Sequence, residues 1–384
     1  MRTLTLILLS SIAFAAEPAA DGVTVAVPAS DKDRRWVLVE FDAKGKELPG
    51  SDVVDEKGNA QSGQPTAKGL AWLVPAIPAG QKLKFEIKKV QGSVPAPALR
   101  WSESGSGVTA LKFGDKEITR YNTGAAAEKQ KHHKPFFWPL NAHGVNLLRG
   151  WPVEPKQGDS TDHPHHTGMY FAFGEVNGKD YWSKEPFVQK KLKMDAGQVF
   201  AELRAENAWG EDLVESDEVR ILTNGSDIVA DWTITLTAAN GPVHFAKDLK
   251  QAKEGAFVCR VTQQLSQAKG DAPELIIDAK GGKGEKAARE GGAPWVDYSG
   301  TVDGKKVGIA VMNHPTSWRY PSDWHVRAYG LFAANPWIIK GENTLQKGES
   351  LTFKWRVYTH EGDAAAGKVA DVFAGYANVQ ATAE

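Results

Sequence analysis

Apolar and polar residues alternate with period two from one end of this chain to the other, and few folds accept that pattern. In DIVADWTITLT the residues Ile228, Ala230, Trp232, Ile234 and Leu236 share one face, while Asp231, Thr233 and Thr235 take the other. VFAELRAEN repeats it with Val199, Ala201 and Leu203 against Glu202, Arg204 and Glu206. Such stretches are half-buried antiparallel strands. More are expected at 35–41, 82–90, 108–113, 307–312 and 351–359, set apart by turn signals such as Lys44-Gly45, Asn177-Gly178, Asn224-Gly225 and Asp303-Gly304. One helix stands out, where Val369, Val372, Phe373 and Tyr376 fall at i, i+3, i+4 and i+7, and it should pack against a sheet. The fold class is all-β, a large antiparallel two-sheet sandwich with a small N-terminal β domain and a C-terminal helix.

The first residues, MRTLTLILLSSIAFAAEP, carry one arginine, an apolar run and a small-residue series ending at Ala16, which reads as a secretory signal peptide over 1–16. A membrane anchor needs roughly 20 apolar residues in a row, and this run is shorter. Nothing later is apolar enough to span a bilayer, so an exported, soluble, periplasmic or extracellular protein is expected. Pro95 and Pro97 break a strand pattern and mark a linker. The division is then a small sandwich at 17–95 and a large one at 98–384. The Gly/Lys/Glu-rich run at 279–294 reads as a long mobile loop. A net charge of -1 offers no footprint for nucleic acid or an anionic membrane. With Cys259 the only cysteine, no intrachain disulfide can form.

GDSTDHPHHTGMYFAF gathers Asp162, His163, His165 and His166 ahead of a strand. Carrying the strand pattern back from Phe173 puts His165, Thr167, Met169 and Phe171 on one face and His166, Gly168 and Tyr170 on the other. His163 joins the first face if Pro164 keeps the backbone extended. An H-x-H pair can then bring His163 and His165 to one divalent metal, with Asp162 as a further ligand or an orienting group. The same residue types equally suit proton transfer, substrate contact or a hydrogen-bonded structural loop.

A second stretch, MNHPTSWRYPSDWHVRAYGLFAANPW, holds His314, Trp318, Trp324, His325, Arg327 and Tyr329. So many rings and cations are costly to bury unpaired and look like a cleft wall; the alternative is a buried polar network. HGVNLLRGWPVEP adds Asn146 and Arg149, the latter fit to grip a carboxylate or a neighbouring aspartate. Thirteen tryptophans, among them Trp151, Trp182, Trp318, Trp324 and Trp337 in polar stretches, suit the apolar faces and hydroxyl rims of sugars.

The runs GVNLLRGWP, DHPHHTGMYFAFGEVNGKDYW, NHPTSWRYPSDWHVRAYGLFAANP and FKWRVYTHEG resemble a bacterial family of unknown function, common in planctomycetes, that has carried the label methane oxygenase PmoA. The likeness covers roughly 100–375. A membrane methane mono-oxygenase subunit needs several bilayer-spanning helices, and this chain offers none after its first residues, so the label is set aside. The resemblance implies a large β-sandwich of the kind seen in mutarotases and polysaccharide lyases. It implies Asn146, Arg149, His163, His165, His166, His314, Trp324, His325 and Arg327 as the family's polar residues. Where many relatives place arginine this chain has Thr167, which weakens an anion-binding role there.

These readings converge on a carbohydrate partner and an enzyme that cleaves a glycan by hydrolysis or elimination. A hydrolase needs two carboxylates across the bond, with Asp162, Glu175, Asp180 and Asp323 as candidates. A lyase needs a base, His166 or His325, and a clamp, Arg149 or Arg327. The alternatives are a glycan-binding protein without catalysis, and a mutarotase-like epimerase. The oligomeric state is not readable from the sequence.

Overall fold

Alternation decides which side of each sheet is covered. Along Ile228–Ala238 the residues Ile228, Ala230, Trp232, Ile234, Leu236 and Ala238 are buried, while the threonines between them are only partly so. This strand pairs antiparallel with Leu213–Thr223 on one side and Ser350–Glu361 on the other. The computed structural model describes residues 22–90, 98–123, 134–248, 250, 253–267, 269–289, 291–377 and 382–383. The expected signal peptide and the Pro95/Pro97 linker lie outside the described residues.

The chain is all-β and sandwich-like. One large sheet has eight strands in the order Phe187–Ala196, Ala201–Trp209, Leu213–Thr223, Ile228–Ala238, Ser350–Glu361, Lys305–Asn313, Trp295–Val302 and Ile276–Asp278. The facing nine-stranded sheet runs from Trp324–Val326 through Leu331–Ala334, Gly255–Arg260, Met169–Phe173, Phe136–Ala142, Lys116–Asn122 and Val108–Phe113 to Leu99–Gly105. Its ninth strand, Val145–Asn146, pairs with Phe136–Ala142. Rings from both sheets interlock between them. Trp232 meets Phe137 at 5.1 Å and Phe257 at 5.0 Å, and Phe171 packs on Trp209, Phe353 and Trp355. Each large side chain so buried is worth about 2–3 kcal/mol. Hairpins turn where the sequence signals them: Asp303 and Gly304, at φ 48° and 78°, join Trp295–Val302 to Lys305–Asn313.

Two smaller sheets enclose a separate core of Val25, Val37, Val39, Val53, Leu70, Trp72, Phe85 and Ile87. One of them is completed by Thr382–Ala383, which pairs antiparallel with Val25 and Ala26. The helix Val369–Ala377 lies where the sequence puts it, but it packs on two partners. Val369 and Val372 sit with Leu222 and Tyr358 of the large sheet, with Phe200 just before its strand Ala201–Trp209, and with Trp36 of the small one. Gly375 permits the close approach, since a Cβ there would stand 2.1 Å from the Arg35 carbonyl oxygen. Arg356 locks the junction with two bonds to Asp231, at 2.6 and 2.7 Å, and a third to the Trp36 carbonyl at 3.1 Å.

The run 279–294 is not a structureless loop. It holds the helix Gly284–Arg289, whose first turn is tied down by the Lys286 N–H donating to the Asp271 carboxylate at 2.7 Å. Glu285 projects from that helix to receive Arg289 at 3.1 Å, Arg327 at 2.9 Å and the Ala328 N–H at 2.8 Å. Glycine and charge suggested mobility, but Asp278 receives the Lys280 and Gly282 N–H groups at 2.8 Å while Asp271 and Glu285 hold the helix's first turn. Among the described residues no helix is long and apolar enough to cross a membrane.

Candidate functional site

The histidine segment is a turn, not an extended run. The His166 N–H donates to the His163 carbonyl at 3.0 Å, and His163 and Gly168 both have positive φ, 44° and 71°. The strand therefore starts at Met169, and the face assignment extrapolated to residues 163–168 does not hold. Instead of alternating, the three imidazoles gather. His163 stacks on His166 at 4.8 Å, His165 meets His166 edge-on at 4.5 Å, and His163 and His165 are 5.8 Å apart. Strand Gly255–Arg260 braces both ends of the loop, through the Arg149 N–H to the Arg260 carbonyl at 3.0 Å and the Arg260 N–H to the Gly168 carbonyl at 2.9 Å.

Charge enters through a relay. Buried Arg149 donates to one oxygen of Asp162 at 2.6 Å, to the Ser160 hydroxyl at 3.0 Å and to the His163 carbonyl at 3.1 Å. Arg260 reaches the same Asp162 oxygen at 3.3 Å. The other Asp162 oxygen lies 3.1 Å from Nδ1 of His163. Burial works to raise the Asp162 pKa, but Arg260, Arg149 and His163 outweigh it and the net shift is downward. An anionic Asp162 draws the proton of His163 onto Nδ1, which leaves Nε2 as the acceptor. Asp162 and His163 are 43% and 41% exposed in their side chains, whereas Arg149 and Arg260 are 0% and 1%, so the relay runs from floor to surface.

Beneath lies a polar floor. His166 is pushed well below the usual imidazole range, first by burial and then by the charges of its neighbours, so it is neutral near pH 7. His165 is pushed down to about 4, by burial and then by Lys134. Lys134 is buried, donates to the Trp182 and His165 carbonyls at 2.7 and 3.1 Å and stands 4.3 Å from the Tyr170 ring centre; burial lowers it to about 7. Tyr329 stacks on His163 at 5.4 Å and is flanked by the guanidiniums of Arg260 and Arg327 at 4.8 and 5.4 Å. Several buried atoms here have no partner among the described residues: both ring nitrogens of His166, the Tyr170 hydroxyl, the Thr167 hydroxyl, Trp182 Nε1, Arg149 Nε, and Nε and Nη1 of Arg260. A buried donor left unmade costs about 1–3 kcal/mol, and so many in one patch mark a site kept for something other than stability.

The structure thus brings Asp162, His163, His165, His166, Arg149, Trp182, Arg327 and Tyr329 together. It places the other candidates elsewhere. Asn146 holds the Leu140 and Leu148 N–H groups at 3.1 and 3.0 Å. His314 packs on Tyr376 of the C-terminal helix and Trp318 on Trp337 and Phe353. Trp324 is fully buried with its Nε1 on the Ala293 carbonyl at 3.0 Å, and Trp337 is also in the core, so neither forms a sugar platform. Of the carboxylates, Glu175 takes the Gly178, Lys247 and Asp248 N–H groups, Asp180 those of Trp182 and Ser183, and Asp323 those of Ile339 and Lys340. Each caps a turn. Among the described residues no group of three or more His, Cys, Asp or Glu is arranged to hold a metal.

His325 has its Nδ1 2.7 Å from the Lys253 carbonyl and is pushed down to about 4, mainly by burial, against which that bond raises it. The unfolded chain then binds the extra proton between about pH 4 and 6.5, so stability rises with pH across that window and is lost as pH falls through it. A shift of this size corresponds to on the order of 3 kcal/mol. His325→Asn keeps a donor for the Lys253 carbonyl, and urea midpoints at pH 4.5 and 7 should differ less for it than for the parent; an equal difference refutes the assignment.

Arg260, Lys134, Tyr170 and Glu254 escaped the sequence reading. Arg260 had one available sign, a cation closing the otherwise apolar run GAFVCR. Glu254, pushed up chiefly by burial, senses His163 and Arg327, yet its neighbours in sequence give no hint of this.

Fold and site define a β-sandwich protein with a histidine–arginine centre on one sheet's loop edge. Its sequence match over residues 108–374 makes the chain a member of the family of unknown function DUF6807. No curated protein matches it in sequence. Among solved structures it is similar to heparan sulfate lyase HepC from Pedobacter heparinus, at 9% identity and a TM-score of 0.33, covering 72% of this chain and 38% of that one. It is also similar to the GH36 alpha-galactosidase AgaA from Geobacillus stearothermophilus, at 11% identity and a TM-score of 0.37, covering 70% and 41%. A third is the 4-alpha-glucanotransferase from Thermococcus litoralis, at 9% and 0.27, covering 70% and 40%. The chain spans less than half the length of each.

Proposed function

We propose that this protein is an exported carbohydrate-active enzyme that cleaves a glycan by proton transfer at His163. One observation carries the reading: Asp162, held by Arg149, places a carboxylate oxygen 3.1 Å from Nδ1 of a His163 ring that is 41% exposed, which favours the proton on Nδ1 and Nε2 as the acceptor. That is how a general base is oriented, and a protein that merely holds a sugar has no use for it. Beside it the half-buried Tyr329 ring, flanked by guanidiniums, matches the apolar face and hydroxyl rim of a sugar. In a hydrolysis Nε2 would take a proton from the attacking water; in an elimination it would take one from the sugar.

The test is to incubate the purified protein with plant and algal polysaccharides, with and without chelator, and weigh the products. Unsaturated ends indicate elimination and added water hydrolysis. His163→Gln should lower turnover by about 10²–10⁴-fold with glycan affinity retained. Unchanged turnover in that variant refutes the assignment, and no product from any glycan favours a binding protein.

A further inference from the structure

The site holds more cation than its own acids neutralise. Arg149 and Arg260 are both buried and share one carboxylate, Asp162. Arg149 uses Nη1 and Nη2 on Ser160, Asp162 and His163, leaving Nε without a partner. Arg260 engages only Nη2, at 3.3 Å from Asp162 and 3.4 Å from the Ser160 hydroxyl, leaving Nε and Nη1. The other charges nearby are committed. Arg327 and Arg289 share Glu285, Asp180 is held by backbone N–H groups and the Ser183 hydroxyl, and Lys253 lies 3.8 Å from Glu254. Burial raises the Glu254 pKa, and the cation it pairs with is Lys253, not either buried arginine. A buried guanidinium with two idle nitrogens is costly unless an anion completes it.

We propose that the glycan is acidic, its carboxylate or sulfate ester being received by Arg260 with Arg149 behind it. This rests on the site being a glycan site. The idle nitrogens touch no solvent, and Arg260 lies against the Tyr329 ring, itself stacked on His163. The anion therefore reaches Arg260 when the half-buried Tyr329 ring, whose hydroxyl bonds to no described residue, turns aside and leaves His163 on Asp162. With a carboxylate next to C5, elimination closes without a co-reactant. The C5 proton passes to Nε2 of His163, a C4–C5 double bond forms, the C4–O bond breaks, the leaving oxygen takes a proton from water, and the hydroxide so formed takes the proton from Nε2.

Binding is measured by calorimetry for pairs that differ chiefly in charge: methyl-esterified against de-esterified homogalacturonan, galactan against a galactan 6-sulfate, mannan against alginate, and β-1,4-glucan against glucuronan. At least one acidic member should bind at least tenfold more tightly than its neutral match. Salt should weaken that binding, and the uronate and sulfate arms identify the anion. Arg260→Gln should reduce it about tenfold to a hundredfold, with Arg260→Lys recovering part. If Arg260→Gln does not fold, competition of sulfate ion with the acidic glycan on the unaltered protein replaces it. Equal binding of neutral and acidic members, binding indifferent to Arg260 and to sulfate, or no binding by any acidic member overturns the proposal. Turnover of neutral glycans alone sinks this inference and leaves the enzyme standing, whereas acidic binding without turnover does the reverse.

Discussion

Arg149→Ala is expected to lower stability by about 3–5 kcal/mol and to abolish turnover together. Its guanidinium is fully buried and holds three separate points of the loop 160–163. Asp162 is itself 43% exposed, so the loss is chiefly of the charge-assisted hydrogen bonds to those three points, about 1.5–3 kcal/mol each at most, and of the buried guanidinium's packing. Arg260 remains 3.3 Å from Asp162, so some attraction survives and the lower half of the range applies. Arg149→Lys should recover little, because one ammonium cannot reach Ser160, Asp162 and the His163 carbonyl from a single point. Urea unfolding of Arg149→Ala, Asp162→Asn and the double variant would read the coupling, expected at about 1–3 kcal/mol. Additive losses would show that the two residues do not act as one unit.

Gly168→Ala should be as damaging without touching any charged group. The added Cβ would stand 2.2 Å from the Phe137 carbonyl oxygen and 3.0 Å from the Trp138 Cβ, at a φ of 71°. The left-handed backbone alone costs about 1–2 kcal/mol for a side chain, and overpacking adds about 1–3 more. Strand Met169–Phe173 pairs with Phe136–Ala142 at Phe137 alone, so relief must come from moving the histidine loop or that pairing. Thermal denaturation and glycan binding, measured on the same sample, should both fall. A melting temperature within error of the parent would contradict the close approach.

Strands were legible because their signal is local. Val108–Phe113 appears with the bounds the alternation gives, and Val369, Val372, Phe373 and Tyr376 do lie on one helix. The site was legible as composition and illegible as geometry. Asp162, His163 and Arg149 stood out by residue type, but extending a two-residue period through His163 and Gly168 ignored that both leave the extended region. The tryptophans misled for a related reason. Trp324 lies on a short strand buried on both faces, with Asp323 and His325 buried beside it, and Trp337 lies in the turn after Leu331–Ala334, so polar letters nearby did not mean exposure. Arg260 becomes a site residue only through pairing across the sheet, with Met169 opposite Cys259, which no single strand records.

The pairing of Thr382–Ala383 with Val25 and Ala26 bears on how the molecule is made. The sheet that opens the described chain waits for a strand from its far end, and helix Val369–Ala377 rests on Arg34–Asp42 in the same way. An N-terminal half emerging first has its own apolar core but an uncapped edge. Closure of so long a loop comes late and slowly. A ribosome-stalled chain lacking the last fifteen or so residues should accordingly stay protease-sensitive within 22–90, and become resistant only on release.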